Sequence, residues 1–214
     1  MKTTLLSTTT QTAQLTDADL NSMNRIRADV RVFIGVDLGE RRNPSAIVVL
    51  ERFEQWPADY ADILRGAGPK RRYVVRQAER RPLGTPYKEV ITHVKHMVER
   101  ITATGRDCVL VVDESGPGVP VVERMRETGM GCPLMPYTIT TGNAATGSTV
   151  SRTILLTKLQ MMVESEELEI AAGCRDGEHL ERELRYLQLD GKCSGESDDL
   201  AMALALACWK ARVR

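Results

Sequence analysis

Apolar positions along this chain follow two alternating rhythms. Val32-Phe33-Ile34-Gly35-Val36-Asp37-Leu38 is a near-continuous apolar run, as a strand buried on both faces requires. Asn43-Pro44 turns the chain, and Ala46 to Leu50 predicts a second strand. The short connection makes that pair antiparallel. Tyr73 to Ala78 predicts a third strand. Thr85-Pro86 then marks a helix start, with Thr as N-cap and Pro at the first helical position. Tyr87, Val90, Ile91, Val94, Met97 and Ile101 follow at helical spacing, with Gly105 just past the end. Cys108 to Val112 is another apolar strand ending at Asp113, and a Gly116-Pro117-Gly118 turn leads to a helix through Val121, Val122 and Met125, closed by Gly129. Leu134 to Ile139 predicts a fifth strand, and Thr141 to Thr149 a loop of small residues. A helix over Ser151 to Val163, a short strand or extended segment at Leu168 to Ala171, and a helix marked by Leu180, Leu184 and Leu187 come next. The last helix runs from about Asp198 to Ala211, packing through Leu200, Ala203, Leu204 and Ala207.

Three strands joined by short turns and followed by strand-helix-strand crossovers imply an α/β domain with a mixed five-stranded sheet and helices on both faces. That order resembles a ribonuclease H-like fold. A plain doubly wound nucleotide-binding fold would alternate strand and helix from the start. Residues 1–28 read as a disordered Thr-rich tail with one short helix capped by Thr16, and residues 29–214 as the domain itself.

Composition narrows the picture. The 214 residues are 42% apolar and 27% charged, with 29 basic residues cancelling 29 acidic ones. This excludes a wholly disordered chain and a protein coated in basic charge. No apolar run is long enough to span a bilayer, so no membrane partner is expected. Five scattered cysteines without a C-x-x-C pair, and the absence of a signal-peptide core, point to the cytoplasm, or to the host cytoplasm for a viral protein. Positive charge is local. Arg65, Lys70, Arg71, Arg72, Arg76, Arg80 and Arg81 form one run with only Glu79 opposing, Arg41 and Arg42 lie in the first hairpin, and Arg152 and Lys158 follow the small-residue loop. Such groups suit the phosphates of double-stranded DNA.

Asp37 ends the first strand, Asp113 ends the fourth, and Asp198 and Asp199 open the last helix. An aspartate at the end of an apolar strand is costly unless paired, hydrogen-bonded or bound to metal. The first and fourth strands neighbour each other in a sheet of this order, so their carboxylates converge, and the Asp-Asp helix start brings more to the same edge. Convergent oxygens without Cys or His favour a hard cation, Mg²⁺ or Mn²⁺. Two such ions can hold the attacking water and the leaving oxygen of a phosphodiester. Read one at a time, Asp198 and Asp199 are also ordinary helix caps. His93 and His96, three apart on a helix, read as an exposed face.

At these residues the chain resembles the C-terminal nuclease domain of the phage terminase large subunit. Phe33 to Gly39 with Asn43 to Val49 is similar to its opening hairpin, Val111 to Gly118 to its second acidic motif, and Leu168 to Ala171, Leu180 to Leu184 and Ser197 to Ala205 to its closing stretch. The resemblance covers about residues 31–211. It implies a metal-dependent endonuclease cutting double-stranded DNA during genome packaging, with two Mg²⁺ or Mn²⁺ held by Asp37, Asp113, Asp198 and Asp199. It also implies a separate packaging ATPase, a small terminase subunit or a portal as partners. No G-x-x-x-x-G-K-[ST] sequence is present, so the ATPase motor of a full terminase is not expected here. The alternatives are a junction-resolving nuclease of the RuvC type and a non-catalytic DNA-binding packaging module. Gly35 to Gly39 also looks like the first phosphate loop of actin-type ATPases, but those need two such domains.

Overall fold

The computed structural model describes residues 28–39, 43–57, 59–116, 118–142, 144–186 and 197–212. The expected N-terminal tail and its short helix therefore lie outside the described residues, apart from Ala28, and so do Arg41 and Arg42. Strands β1 (Ala28–Asp37) and β2 (Ala46–Gln55) form the opening hairpin, and β3 (Lys70–Arg80) follows a five-residue helix α1 (Tyr60–Leu64). Then come α2 (Tyr87–Thr102), β4 (Asp107–Asp113), α3 (Gly118–Thr128), β5 (Leu134–Thr140), β6 (Ala145–Thr146), β7 (Thr149–Ser151), α4 (Arg152–Glu164), β8 (Leu168–Ile170), α5 (Gly177–Arg185) and α6 (Asp199–Arg212).

The strands form a single sheet in the order β6-β7-β5-β4-β1-β2-β3-β8. β1, β2 and β3 are antiparallel neighbours, whereas β4 and β5 run parallel to β1. The five long strands thus take the expected order, and the sheet has eight strands rather than five because short β6, β7 and β8 extend both edges. Two of the three extra strands arise where a plain loop is expected. Thr138 N–H donates to the Ser148 carbonyl at 2.8 Å, which captures the Thr141–Thr149 segment as a ladder. A two- or three-residue strand is too short to leave a readable period.

Alternation along each strand sorts the core into two layers. Val32, Ile34, Val36, Ile47, Leu110 and Val112 pack under α2 and α3. Phe33, Val48, Leu50, Tyr73, Val75 and Val111 pack under α4, α5 and α6. The expected packing stripe on α6 is too narrow, for every residue from Asp199 to Cys208 is buried. An apolar helix covered on all sides is an interior element. It is seated directly on the sheet: a Cβ added at Gly35 would stand 1.9 Å from the Ala203 carbonyl oxygen. At its far end the buried Arg52 donates to the Ala211 carbonyl at 3.0 Å, a cation at the negative pole of the helix. One start signal lands differently. Pro86, not Thr85, is the cap position of α2, and the Thr85 hydroxyl turns back to donate to the Pro82 carbonyl. The described cysteines Cys108, Cys132, Cys174 and Cys208 are free thiols. No described helix is long and apolar enough to cross a membrane.

Candidate metal-binding carboxylate site

The register of β1 and β4 places the first two aspartates. Val36 pairs with Val112 across the parallel ladder, so the next residues, Asp37 and Asp113, leave neighbouring strands side by side at a strand spacing of about 4.8 Å. Val36 and Val112 point toward α2 and α3, which turns Asp37 and Asp113 to the opposite face, where α6 lies. The seat of α6 on Gly35 then decides what meets them. Asp199 is four residues before Ala203, or about 6 Å of helix rise. Asp37 is two residues beyond Gly35, or about 6.6 Å of strand. Equal steps from one contact point bring the start of α6 to the end of β1.

The electrostatics agree with this placement. The half-buried Asp37 carboxyl is pushed up to about 8, first by desolvation and then by the charges of Asp113 and Asp199, with Glu183 adding to the rise and Arg152 opposing it. Asp113 is raised chiefly by burial, held back by hydrogen bonds from Ser115 and Ile139. Its Oδ1 accepts from Ser115 N–H at 2.8 Å. Asp199 is buried and raised by desolvation, against Ser197, Arg80 and Arg152. Like charges crowded in a low dielectric each favour the proton, so a proton or a cation is what this edge lacks.

Asp198 has a different neighbourhood. Its carboxylate pairs with Arg152, the first residue of α4. Among the described residues the side chains of the pair bond Arg152 and Ser197 rather than serve as the expected cap. The amide of Ala201, in the first turn of α6, donates instead to Glu183 Oε2 at 2.7 Å, a buried glutamate from α5. Glu183 is pushed up to about 7 by burial, against the Ala201 amide and Arg80. Sequence reasoning missed this residue. Its signal was an acid at the third position after Leu180 and directly before Leu184, on the apolar side of a short helix.

The donor set is oxygen only, which suits Mg²⁺ or Mn²⁺. Among the described residues, no three acidic, His or Cys side chains stand close enough together to enclose one ion as they are. The residues fit a hard cation by chemistry and by their shared excess of acid.

The structure divides the expected DNA-binding residues. The ten residue steps from Lys70 to Arg80 span about 33 Å of strand. Ala46 pairs with both Asp37 and Arg80, whereas Gln55 pairs with Lys70 at the opposite edge. Of that run, Arg80 and Arg81 therefore share the acidic end, where Arg152 also acts on Asp37. The run also has more acid against it than Glu79. Arg71 meets Glu54 at 3.2 Å, Arg72 meets Glu169 at 3.1 Å, Arg76 meets Glu51 at 2.6 Å, and Arg80 pairs with Glu183. Arg72 and Arg76 also lie over the Phe53 ring. Arg81 buries a guanidinium Nε that has no hydrogen-bond partner. Lys158 lies over the Trp209 ring at 5.7 Å, and His93 pairs with the buried Glu79.

No model of a known protein family matches the chain, and no curated protein does. Among solved structures, the manganese-soaked nuclease domain of the human cytomegalovirus terminase aligns over 92% of this chain and 94% of its own, with 10% identity and a TM-score of 0.49. Thermus thermophilus RuvC aligns over 83% of this chain and 90% of its own, with 14% identity and a TM-score of 0.35. Its complex with Holliday junction substrate gives a TM-score of 0.36 over the same shares. The strand order β3-β2-β1-β4-β5 within the mixed sheet, with β1 to β3 antiparallel and β4 and β5 parallel to β1, is that of a ribonuclease H-like fold. In this ribonuclease H-like sheet the acidic residues stand where the parallel strands β1 and β4 end, at the edge that α6 covers.

Proposed function

We propose that the chain is a metal-dependent endonuclease that cuts double-stranded DNA, of the terminase nuclease kind. The observation that carries this reading is the side-by-side exit of Asp37 and Asp113 on the face that receives the buried Asp199. These three would hold two Mg²⁺ or Mn²⁺. Bound there, the ions would activate a water and neutralise charge on the scissile phosphate. Asp37 keeps its proton at neutral pH and must give it up to become a ligand, so loading the site releases protons. Ser115 fixes the Asp113 carboxylate by donating its backbone amide to Oδ1. Arg152, tied to Asp198 beside the acids, offers a guanidinium to a phosphate oxygen. The role in genome packaging rests on the sequence resemblance, from the opening hairpin to the Ser197–Ala205 stretch.

The test is cleavage of supercoiled plasmid, linear duplex and a four-way junction with Mn²⁺ or Mg²⁺, each against EDTA. Asp37→Asn, Asp113→Asn and Asp199→Asn should each lower cutting by at least about a hundredfold, more than the loss of an outer partner of a metal ligand costs. A wild type that cuts no faster than Asp37→Asn refutes the reading. A strong preference for the junction would replace the terminase assignment with junction resolution.

A further inference from the structure

Helix α6 carries Asp199 into the acidic site, and the described hydrogen bonds of the Asp198 and Asp199 side chains lead away from its first turn. Asp198 contributes its main-chain carbonyl, which accepts from Met202 N–H at 2.9 Å. Its side chain is committed to Arg152, and the Asp199 side chain accepts from the Ser197 hydroxyl. The first-turn amide of Ala201 is satisfied from another helix, by Glu183 Oε2. The second carboxylate oxygen of Glu183 is held by Arg80 Nη2. Arg80 is itself fixed at the end of β3, where its own amide donates to Asp176 Oδ2 at 2.9 Å, and Asp176 is the cap position of α5. Arg80 Nε has no hydrogen-bond partner and lies 3.9 Å from Asp199 Oδ2. One guanidinium thus touches the residue that caps α6, sits beside the acid that α6 presents, and belongs to the strand two ladders from Asp37.

We infer that Glu183 is a positioning residue for Asp199: it caps α6 from α5, and Arg80 balances its charge. The inference rests on the reading of Asp199 as a metal ligand. A cap taken from the helix's own chain would consume one of the two acids at its start. Bringing the cap from α5 leaves Asp198 free for Arg152 and Asp199 free for a cation. It also gives a duty to Arg80, which reads as a DNA contact in the sequence.

Charge and capping are separated by two double variants of the full chain, Glu183→Gln with Arg80→Met and Glu183→Ala with Arg80→Met. Both have the same net charge as the wild type. They differ at residue 183, where the Gln carboxamide oxygen can still accept from the Ala201 amide and the Ala side chain cannot. Mn²⁺ binding is measured without DNA by electron paramagnetic resonance, beside amide exchange of a peptide covering residues 197–206. The Gln variant should bind Mn²⁺ within about threefold of wild type and keep the peptide protected. The Ala variant should bind about tenfold more weakly, as expected when an outer partner of a ligand is lost, and exchange faster in that peptide alone. Equal Mn²⁺ binding by the two double variants overturns the inference. So does a tenfold loss in the Gln variant, and that comparison with wild type decides the matter even if the Ala variant fails to fold. A wild type that binds no Mn²⁺ brings down the nuclease reading and this inference together.

Discussion

Replacing Gly35 with alanine tests how the acidic site is assembled. The added Cβ would stand 1.9 Å from the Ala203 carbonyl oxygen and 3.1 Å from the Ala207 amide nitrogen, where real contacts are essentially never below 3.0 Å. The obstruction is backbone, so no rotamer change relieves it. Helix α6 must retreat by at least about 1 Å. Overpacking of this kind costs on the order of 3 kcal/mol, and in a domain of this size the melting temperature should fall by roughly 6–12 °C. The functional cost should exceed the stability cost. Asp199 is one helical turn from the contact, so the retreat carries it away from Asp37, and a displacement of about 1 Å in a reacting site costs on the order of a hundredfold in rate. The assay pairs calorimetry with plasmid cleavage at 20 °C, where the variant is still folded. A Gly35→Ala protein that melts within 2 °C of wild type would show that α6 does not rest on β1 here. One that melts low but cuts normally would show that the seat of α6 does not set the spacing of the acids.

Other outcomes follow from the same geometry. Asp37 rises from 3.8 to about 8 on folding and Glu183 from 4.5 to about 7; the folded chain therefore holds protons that the unfolded chain has lost, and stability falls as pH rises. In EDTA the melting temperature should decline from about pH 5 to pH 8, more shallowly in Asp37→Asn; a flat wild-type profile refutes the crowding of charge. Arg152→Ala should weaken duplex binding measured by anisotropy without metal and lower the slope of log K against log salt by about one, while Asp198→Asn should strengthen binding by freeing Arg152; no change in either variant refutes the pairing. Arg52→Met removes the donor to the Ala211 carbonyl and leaves Glu54 with Arg71 alone. It should cost about 2 kcal/mol, roughly half of the usual penalty for breaking a buried pair, and a melting temperature lowered by less than 1 °C would contradict the role of Arg52 at the end of α6.

What the sequence discloses here depends on how far apart interacting residues lie along the chain. Asp37 and Asp113 are legible because a charge at the end of an apolar run is a local anomaly, and the register that joins them follows from strand order. The start of α6 is legible for the same reason. Which of its two aspartates faces the site is not, because Arg152 is 46 residues from Asp198. Glu183 is hidden in the same way: its partners Arg80 and Ala201 are 103 and 18 residues away. The basic run on β3 misleads because sequence distance shows only Glu79 nearby. The antiparallel ladder with β2 sets Glu51 and Glu54 against it, β8 brings Glu169, and α5 brings Glu183. Short β7 forms by pairing with β5 and β6 by pairing with β7, so their own residues carry no signal of them.

The contact between Gly35 and Ala203 has a volumetric consequence. With main chain resting on main chain, no compressible layer of side chains separates β1 from α6 one helical turn from the acids. Interiors resist compression most where free volume is least. The gap between Asp37 and Asp199 should therefore behave as a fixed gauge, nearly indifferent to hydrostatic pressure, while the side-chain layers elsewhere in the domain still yield.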